Sequence, residues 1–254
     1  MLEASRLLVF AATLLTAACV HEPHEESQTH WGYEGDRRTD PPSWGSLSSE
    51  YLTCKAGQHQ SPVNVNTTNA EPAHVPALAV HYGTIPSTEV NNGHTIQDVV
   101  SRGDFIHFGE TRFDLEQFHF HHPSEHTLNG SHFPLEIHFV HRSSSGLRLV
   151  MAVFITEGAE HPALHPLFDQ MPHGHQAISI STDPGSLLPP DKQFVEYEGS
   201  LTTPPCNEGI TWLVLTTPIS ASVDQIHKFA TLYPHNNRPV MPLNGRHLLS
   251  GRAP

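Results

Sequence analysis

From Thr95 onward the chain alternates between short apolar runs and breaks of Gly, Pro, Asn and Asp. The runs Thr95–Val100, Phe105–Phe108, Arg112–His121, Pro134–His141, Leu147–Ile155 and Ile210–Leu215 have the length of strands, and several alternate with a period of two. One stretch has a helical period instead. In SASVDQIHKFATLYP, Ser222 and Gln225 have capping-box spacing, Val223, Ile226 and Phe229 or Ala230 recur on one face, and Pro234 ends the run. A shorter helix is expected over Ala163 to Gln170. No linker breaks the chain after Trp31, and there is neither a fixed repeat nor a Gly-rich phosphate loop. The pattern predicts one mainly β domain with short peripheral helices.

Strand parity then sorts side chains by face. Successive residues of a strand point to opposite sides, so in LEQFHFHH the residues Leu115, Gln117, His119 and His121 share a face while Phe118, Phe120 and His122 share the other. In PLEIHFVH, Glu136, His138 and Val140 share one face opposite the apolar Leu135, Ile137 and Phe139. Asn129-Gly130 in the connection is a turn signal that lets the two strands become antiparallel neighbours. Three imidazoles, His119, His121 and His138, then supply three corners of a tetrahedral zinc site and leave the fourth open, the arrangement of a catalytic rather than a structural ion. Gln117 and Glu136, each beside a ligand on the same face, are placed to orient the outer N–H groups. Taken alone, His-x-His on a strand describes partly exposed strand histidines equally well; the third histidine and the flanking amide and carboxylate favour a metal.

Composition narrows the partners. Lys and Arg number 13 against 26 Asp and Glu, a formal charge of −13, which repels phosphate backbones and anionic headgroups and argues against nucleic acid or an electrostatic membrane footprint. The 22 histidines mean that an isolated histidine carries little weight. At the N-terminus Arg6, the apolar run Leu7–Leu15 and small residues leading to Cys19 read as an export leader, residues 1–19. LLTAAC matches a bacterial lipobox, which would lipidate Cys19; ordinary cleavage after Ala18 is the alternative. Residues 20–29 are polar and read as a flexible tether, and 30–254 as the folded domain. With Cys19 so assigned, Cys54 and Cys206 remain as an even pair. In an oxidising compartment a single long-range disulfide is their natural use, two buried free thiols being the alternative.

The chain resembles an α-class carbonic anhydrase of the exported bacterial type. The likeness runs through HWGY (His30–Tyr33), QSPVNV (Gln60–Val65), NNGHTIQ (Asn91–Gln97), QFHFHHPSEH (Gln117–His126), LEIHFVH (Leu135–His141), GSLTTPPC (Gly199–Cys206), Thr211-Trp212 and NRPVMPLNGR (Asn237–Arg246). It implies a large twisted, mostly antiparallel sheet, with zinc on His119, His121 and His138 and hydration of carbon dioxide to bicarbonate and a proton through zinc-bound hydroxide. It further implies that Thr202 accepts a hydrogen bond from that hydroxide and passes its own hydroxyl hydrogen to Glu125, and that His94 shuttles the proton. Tyr33, Asn92 and Gln97 would line the proton path, and Val140, Val150, Leu201, Thr203 and Trp212 the substrate pocket. The Cys54 and Cys206 pair matches the paired cysteines of exported members. Two positions depart from the pattern: His122 follows the second ligand and by parity points away from the metal, and Ala152 stands where relatives often have glycine. Two rivals predict different things. A metal-free binding module would lack a ligand histidine, and none is missing; an exported zinc scavenger would hold several weak ions instead of one tight one. A homodimer is left open.

Overall fold

The computed structural model describes residues 29–33, 38–72, 75–174 and 176–253; the export leader and most of the tether lie outside these. Among the described residues fourteen strands form the body: β1 Asn64–Val65, β2 Glu71–Pro72, β3 Leu78–His81, β4 Ile85–Asn91, β5 Ile96–Val100, β6 Phe105–Phe108, β7 Thr111–His121, β8 Thr127–Leu128, β9 Leu135–Ser143, β10 Arg148–Glu157, β11 Ala177–Thr182, β12 Gln193–Ser200, β13 Glu208–Ala221 and β14 Leu249–Arg252. Three short α-helices among them are peripheral: α1 Thr53–Ala56, α2 His165–Phe168 and α3 Val223–Leu232.

Twelve strands make one sheet in the order β11-β4-β5-β7-β9-β10-β13-β12-β14-β2, with β6 also on β7 and β3 on β6; β1 and β8 form a separate pair. The β10–β13 and β14–β2 pairs of the large sheet are parallel and its other pairs antiparallel. The sheet divides the core in two. On one face Phe118, Phe120, Ile137, Phe139, Met151 and Leu213 pack under Leu164, Leu167 and Phe168 near α2 and Phe229 of α3. On the other, Val150, Ala152, Phe154, Tyr197 and Trp212 form a second cluster. A strand buried on both faces, as β10 is, carries an unbroken apolar run, which is why LVMAVFI reads without alternation.

The expected strand pair is present, with His119 directly opposite His138. Parity fails at one residue. The β7–β9 register slips between Leu115 and Gln117, so Glu116 is a bulge, and Leu115 turns away from the histidine face to join Phe118 and Phe120 in the first cluster. The helix α3 has the expected capping box, but Val223, at its first position, is 57% exposed. Gln225 is buried in its place, because its amide bridges Ser222 and both backbone polar groups of His161. The last expected strand runs on to Ala221, and α2 is shorter than the expected helix, its first turn being 3-10.

Cys54 and Cys206 form a disulfide that spans 152 residues of sequence. It ties α1 to the loop after β12, beside a third cluster of Trp44 and Tyr51. In the chain-entropy account a loop of this length is worth up to about 5 kcal/mol. Replacing both cysteines by alanine should therefore lower the unfolding free energy by about 2–5 kcal/mol in a denaturant titration. An unchanged midpoint would show that the cross-link contributes nothing.

Candidate metal centre

Gln117, His119 and His121 leave β7 on the face opposite the large apolar cluster, and His138 faces them from β9. One ring nitrogen from each of His119, His121 and His138 lies within 4.8 Å of the other two. The outer nitrogens are all occupied. His119 Nδ1 donates to Gln117 Oε1 at 2.8 Å, His121 Nδ1 to the Asn236 carbonyl at 2.7 Å, and His138 Nε2 to Glu136 Oε1 at 2.8 Å. Since the acceptors are carbonyl or carboxylate oxygens, each partner assigns the proton to the outer nitrogen and leaves a lone pair on the inner one. His121 Nε2 is buried without any hydrogen-bond partner, an arrangement that costs free energy unless something electron-accepting occupies the space. Burial, then the neighbouring imidazoles, hold His119 well below the ordinary histidine range; burial also lowers His121, against the opposing pull of Glu125. Neutral rings are what a metal requires. Three nitrogen donors and an open fourth direction fit zinc.

A second grouping, His126, Glu136 and His138, is saturated internally. Glu136 Oε1 accepts from His126 Nδ1 at 2.6 Å as well as from His138, and Oε2 takes the His126 N–H at 2.8 Å. Burial alone would raise the Glu136 carboxyl, but the facing His126 and His138 and their N–H bonds hold it well below the usual range. His126 Nε2 then accepts from Tyr197 Oη at 2.6 Å, Tyr197 from Ser61 Oγ at 2.8 Å, and Ser61 from the Ser200 N–H at 3.1 Å. The chain of bonds thus runs from His138 to the loop that carries Leu201, Thr202 and Thr203. The approach is close: a Cβ on Gly199 would sit 2.1 Å from Ser61 Oγ.

Thr202 is 6% exposed and Glu125 wholly buried. Glu125 Oε1 accepts the Arg238 N–H at 2.8 Å, while Oε2 has no hydrogen-bond partner and lies 3.5 Å from His121 Nε2. No hydrogen bond joins Thr202 to Glu125 here. Val140, Val150, Leu201 and Trp212 pack together in the second cluster, and the Trp212 ring centre is 4.9 Å from that of His138. Ala152 lies opposite His138 on β10. A cavity of about 140 Å³ opens over His119 and His121, lined also by Trp31, Tyr33, Asn92, His94, Gln97, Gln117 and Thr203. His94 stacks on Trp31 with ring centres 3.7 Å apart, and burial, then the nearby His30, lowers its pKa. His122 turns aside and its Nδ1 donates to the Pro234 carbonyl at 2.7 Å.

Sequence reasoning missed Asn236, His126, Tyr197, Ser61 and Arg238. Four lie in or next to a stretch already singled out as a motif and Tyr197 lies two residues before one, yet none acts through a local pattern. Asn236 also donates through Nδ2 to the carbonyls of His94 and Phe120, both at 3.0 Å.

Fold and site together define a β-sheet protein with an open cluster of three histidines that could hold a metal ion. The family model for eukaryotic-type carbonic anhydrase matches residues 39–251. A carbonic anhydrase of Pectobacterium atrosepticum is 44% identical over 243 residues, 93% of this chain and 97% of that one. One of Klebsiella pneumoniae is 45% identical, covering 86% and 89%. The solved structure of the α-carbonic anhydrase of Thermovibrio ammonificans with the inhibitor sulfanilamide superposes with a TM-score of 0.84 at 43% identity, covering 87% of this chain and 99% of that one. The chain belongs to the eukaryotic-type, or α-class, carbonic anhydrase family and is an enzyme of that family.

The chain from Glu136 to Ser200 makes a prediction. Tyr197→Phe leaves the buried His126 Nε2 without its donor, so stability should fall by about 1–3 kcal/mol and zinc affinity by about 10-fold. Denaturation and competitive zinc titration measure the two. Loss of stability with unchanged affinity would disconnect Tyr197 from the metal.

Proposed function

We propose that this enzyme hydrates carbon dioxide reversibly to bicarbonate and a proton at zinc held by His119, His121 and His138. The observation that carries the reading is that all three outer nitrogens are bonded to oxygen acceptors while one ring nitrogen of each histidine lies within 4.8 Å of the other two. Zinc held there would lower the pKa of a coordinated water to about 7, the value established for carbonic anhydrases, and would so supply hydroxide at neutral pH.

The protein supplies the rest. Gln117, Glu136 and the Asn236 carbonyl hold the three rings in one tautomer and orientation. Glu125 Oε2, buried and without a donor, would accept the Thr202 hydroxyl hydrogen were the two to close up, which would leave the Thr202 oxygen as an acceptor that aims the attacking oxygen. The Thr202 N–H holds a substrate oxygen. Val140, Val150, Leu201 and Trp212, with Thr203 at the edge, offer carbon dioxide an apolar wall that excludes competing water. His94 receives the product proton across a cavity lined by Tyr33, Asn92 and Gln97, and turns it out to solvent.

The metal-free rival is disfavoured because every ligand is present. Against the scavenger, the described residues hold one open three-histidine cluster, and the His126 grouping is saturated by its own hydrogen bonds. For location we propose an export leader over 1–19, lipidation at Cys19, a tether over 20–29 and the catalytic domain over 30–254. The disulfide supports an oxidising compartment, and no described helix is long and apolar enough to cross a membrane.

Stopped-flow hydration of carbon dioxide by metal-analysed protein tests the core of this reading. His138→Ala should lose nearly all activity and most bound zinc, since two imidazoles cannot hold the open tetrahedron; near-full activity with one zinc per chain would overturn the assignment. His94→Ala should lower the maximal rate in weak buffer with kcat/KM for carbon dioxide nearly unchanged, and added imidazole should restore much of the loss. A parallel fall in kcat/KM would place His94 in the zinc or substrate pocket instead.

A further inference from the structure

The hairpin of β4 and β5 delivers Asn92, His94 and Gln97 to the cavity, and its tip is tied from several sides. Tyr233 Oη donates to Asn91 Oδ1, Asn91 Nδ2 to the Pro172 carbonyl, and Thr95 Oγ1 to the Phe120 carbonyl. Its middle has an unusual content. Glu89 on β4 and Asp98 on β5 stand directly opposite in the antiparallel register. Their outer neighbours are Ile178 on β11 and Phe118 on β7, which places the pair on the face of the large apolar cluster, whereas Gln97 and His119 share the opposite face.

Glu89 is 1% exposed and Asp98 fully buried. Neither Glu89 oxygen has a partner, nor has Asp98 Oδ2. Asp98 Oδ1 accepts only a long bond from Ser87 Oγ at 3.4 Å, and Ser87 accepts from Thr182 Oγ1 at 3.3 Å. Two ionised carboxylates directly opposed repel one another, and a buried charge without donors is costly. No described cation bonds to either. Along β11 the facing residues Ile178, Ile180 and Thr182 do not titrate, and β7 presents Phe118. On α2, which packs against β11, the titratable His165 is bonded to Glu160 and Asp169. A proton held between the two carboxyls resolves the conflict with the groups present.

We propose that Glu89 and Asp98 are positioning residues for proton transfer: the carboxylic acid of Glu89 donates to the carboxylate of Asp98, and loss of that proton loosens the hairpin that carries His94 and Gln97. In alkaline solution the proton leaves to hydroxide as water, and two facing carboxylates remain. Burial, reinforced by Asp98, pushes Glu89 up to about 9, and burial pushes Asp98 up to about 7. A carboxyl raised in the folded state contributes stability that is complete below its unfolded pKa of about 4 and is lost as pH rises through the folded value. The consequence for rate rests on the reading of His94 given above; the shared proton does not.

The test compares zinc-loaded wild type with Glu89→Gln, whose amide can donate to Asp98 but cannot ionise there. The thermal midpoint of wild type should fall by about 5 °C relative to the variant between about pH 7 and pH 10. Infrared spectra at neutral pH should show a protonated-carboxyl C=O band that Glu89→Gln lacks. The ratio of the maximal rate in weak buffer to that in imidazole buffer should drop in alkali for wild type and stay level for the variant. Coincident midpoint profiles, no carboxylic-acid band, or a second bound metal lost in Glu89→Gln would each overturn the shared proton. A changed midpoint and band with an unchanged rate ratio would overturn the positioning role. If His94→Ala is silent in weak buffer while the midpoint and band behave as stated, the His94 reading fails and the shared proton stands.

Discussion

Glu136 accepts N–H groups from two imidazoles and a backbone amide within a wholly buried space, and much of the site depends on that carboxylate. A charge so placed is tolerated only when its acceptor capacity is filled. Filling it from His138 and His126 fixes both tautomers, the first leaving a lone pair on Nδ1 and the second leaving Nε2 as the acceptor for Tyr197. The same bonds then order Ser61 and Ser200. His138 on β9 and the loop that follows β12 are therefore parts of one polar network, in which a missing member orphans its neighbours.

The sequence made the centre legible because strands have a period of two. His119, His121 and His138 could be set on one face from alternation alone, and Asn129-Gly130, both at positive φ in the structure, made the two strands neighbours. The slip at Glu116 was not legible. Leu115 is apolar and suits either face of the sheet, so alternation holds no trace of the bulge. The strand Ile85–Asn91 and the edge strand Ala177–Thr182 were missed for a related reason: Pro86 and their Ser and Thr residues mimic loop composition, and it is the pairing of β4 with β5 and of β11 with β4 that builds them into the sheet.

Partners distant in sequence form a different class. Asn236 meets His121 across 115 residues through its backbone carbonyl, an atom every residue possesses, so side-chain chemistry gives no hint of it. The same holds for the Arg238 N–H on Glu125. The motif NRPVMPLNGR marks the segment without revealing which of its atoms matter.

The segment around Asn236 and Arg238 is irregular, yet it presents backbone atoms to the site at fixed positions, and its side chains account for that. Asn236 is held by the carbonyls of His94 and Phe120. Arg238, 2% exposed, offsets the burial of its guanidinium by donating to the carbonyls of Ser61 and Cys54 at 2.8 and 3.0 Å. Cys54 is joined in turn to Cys206, in the loop that presents Thr202. Glu125 and Thr202 thus approach the centre from two sides of one closed circuit: the loop, the disulfide, the Cys54 carbonyl, the Arg238 guanidinium and its own backbone N–H. The cross-link restrains Thr202 and Glu125 together, so its removal would loosen the spacing between that loop and that carboxylate before it disturbed His119, His121 and His138, which β7 and β9 hold independently.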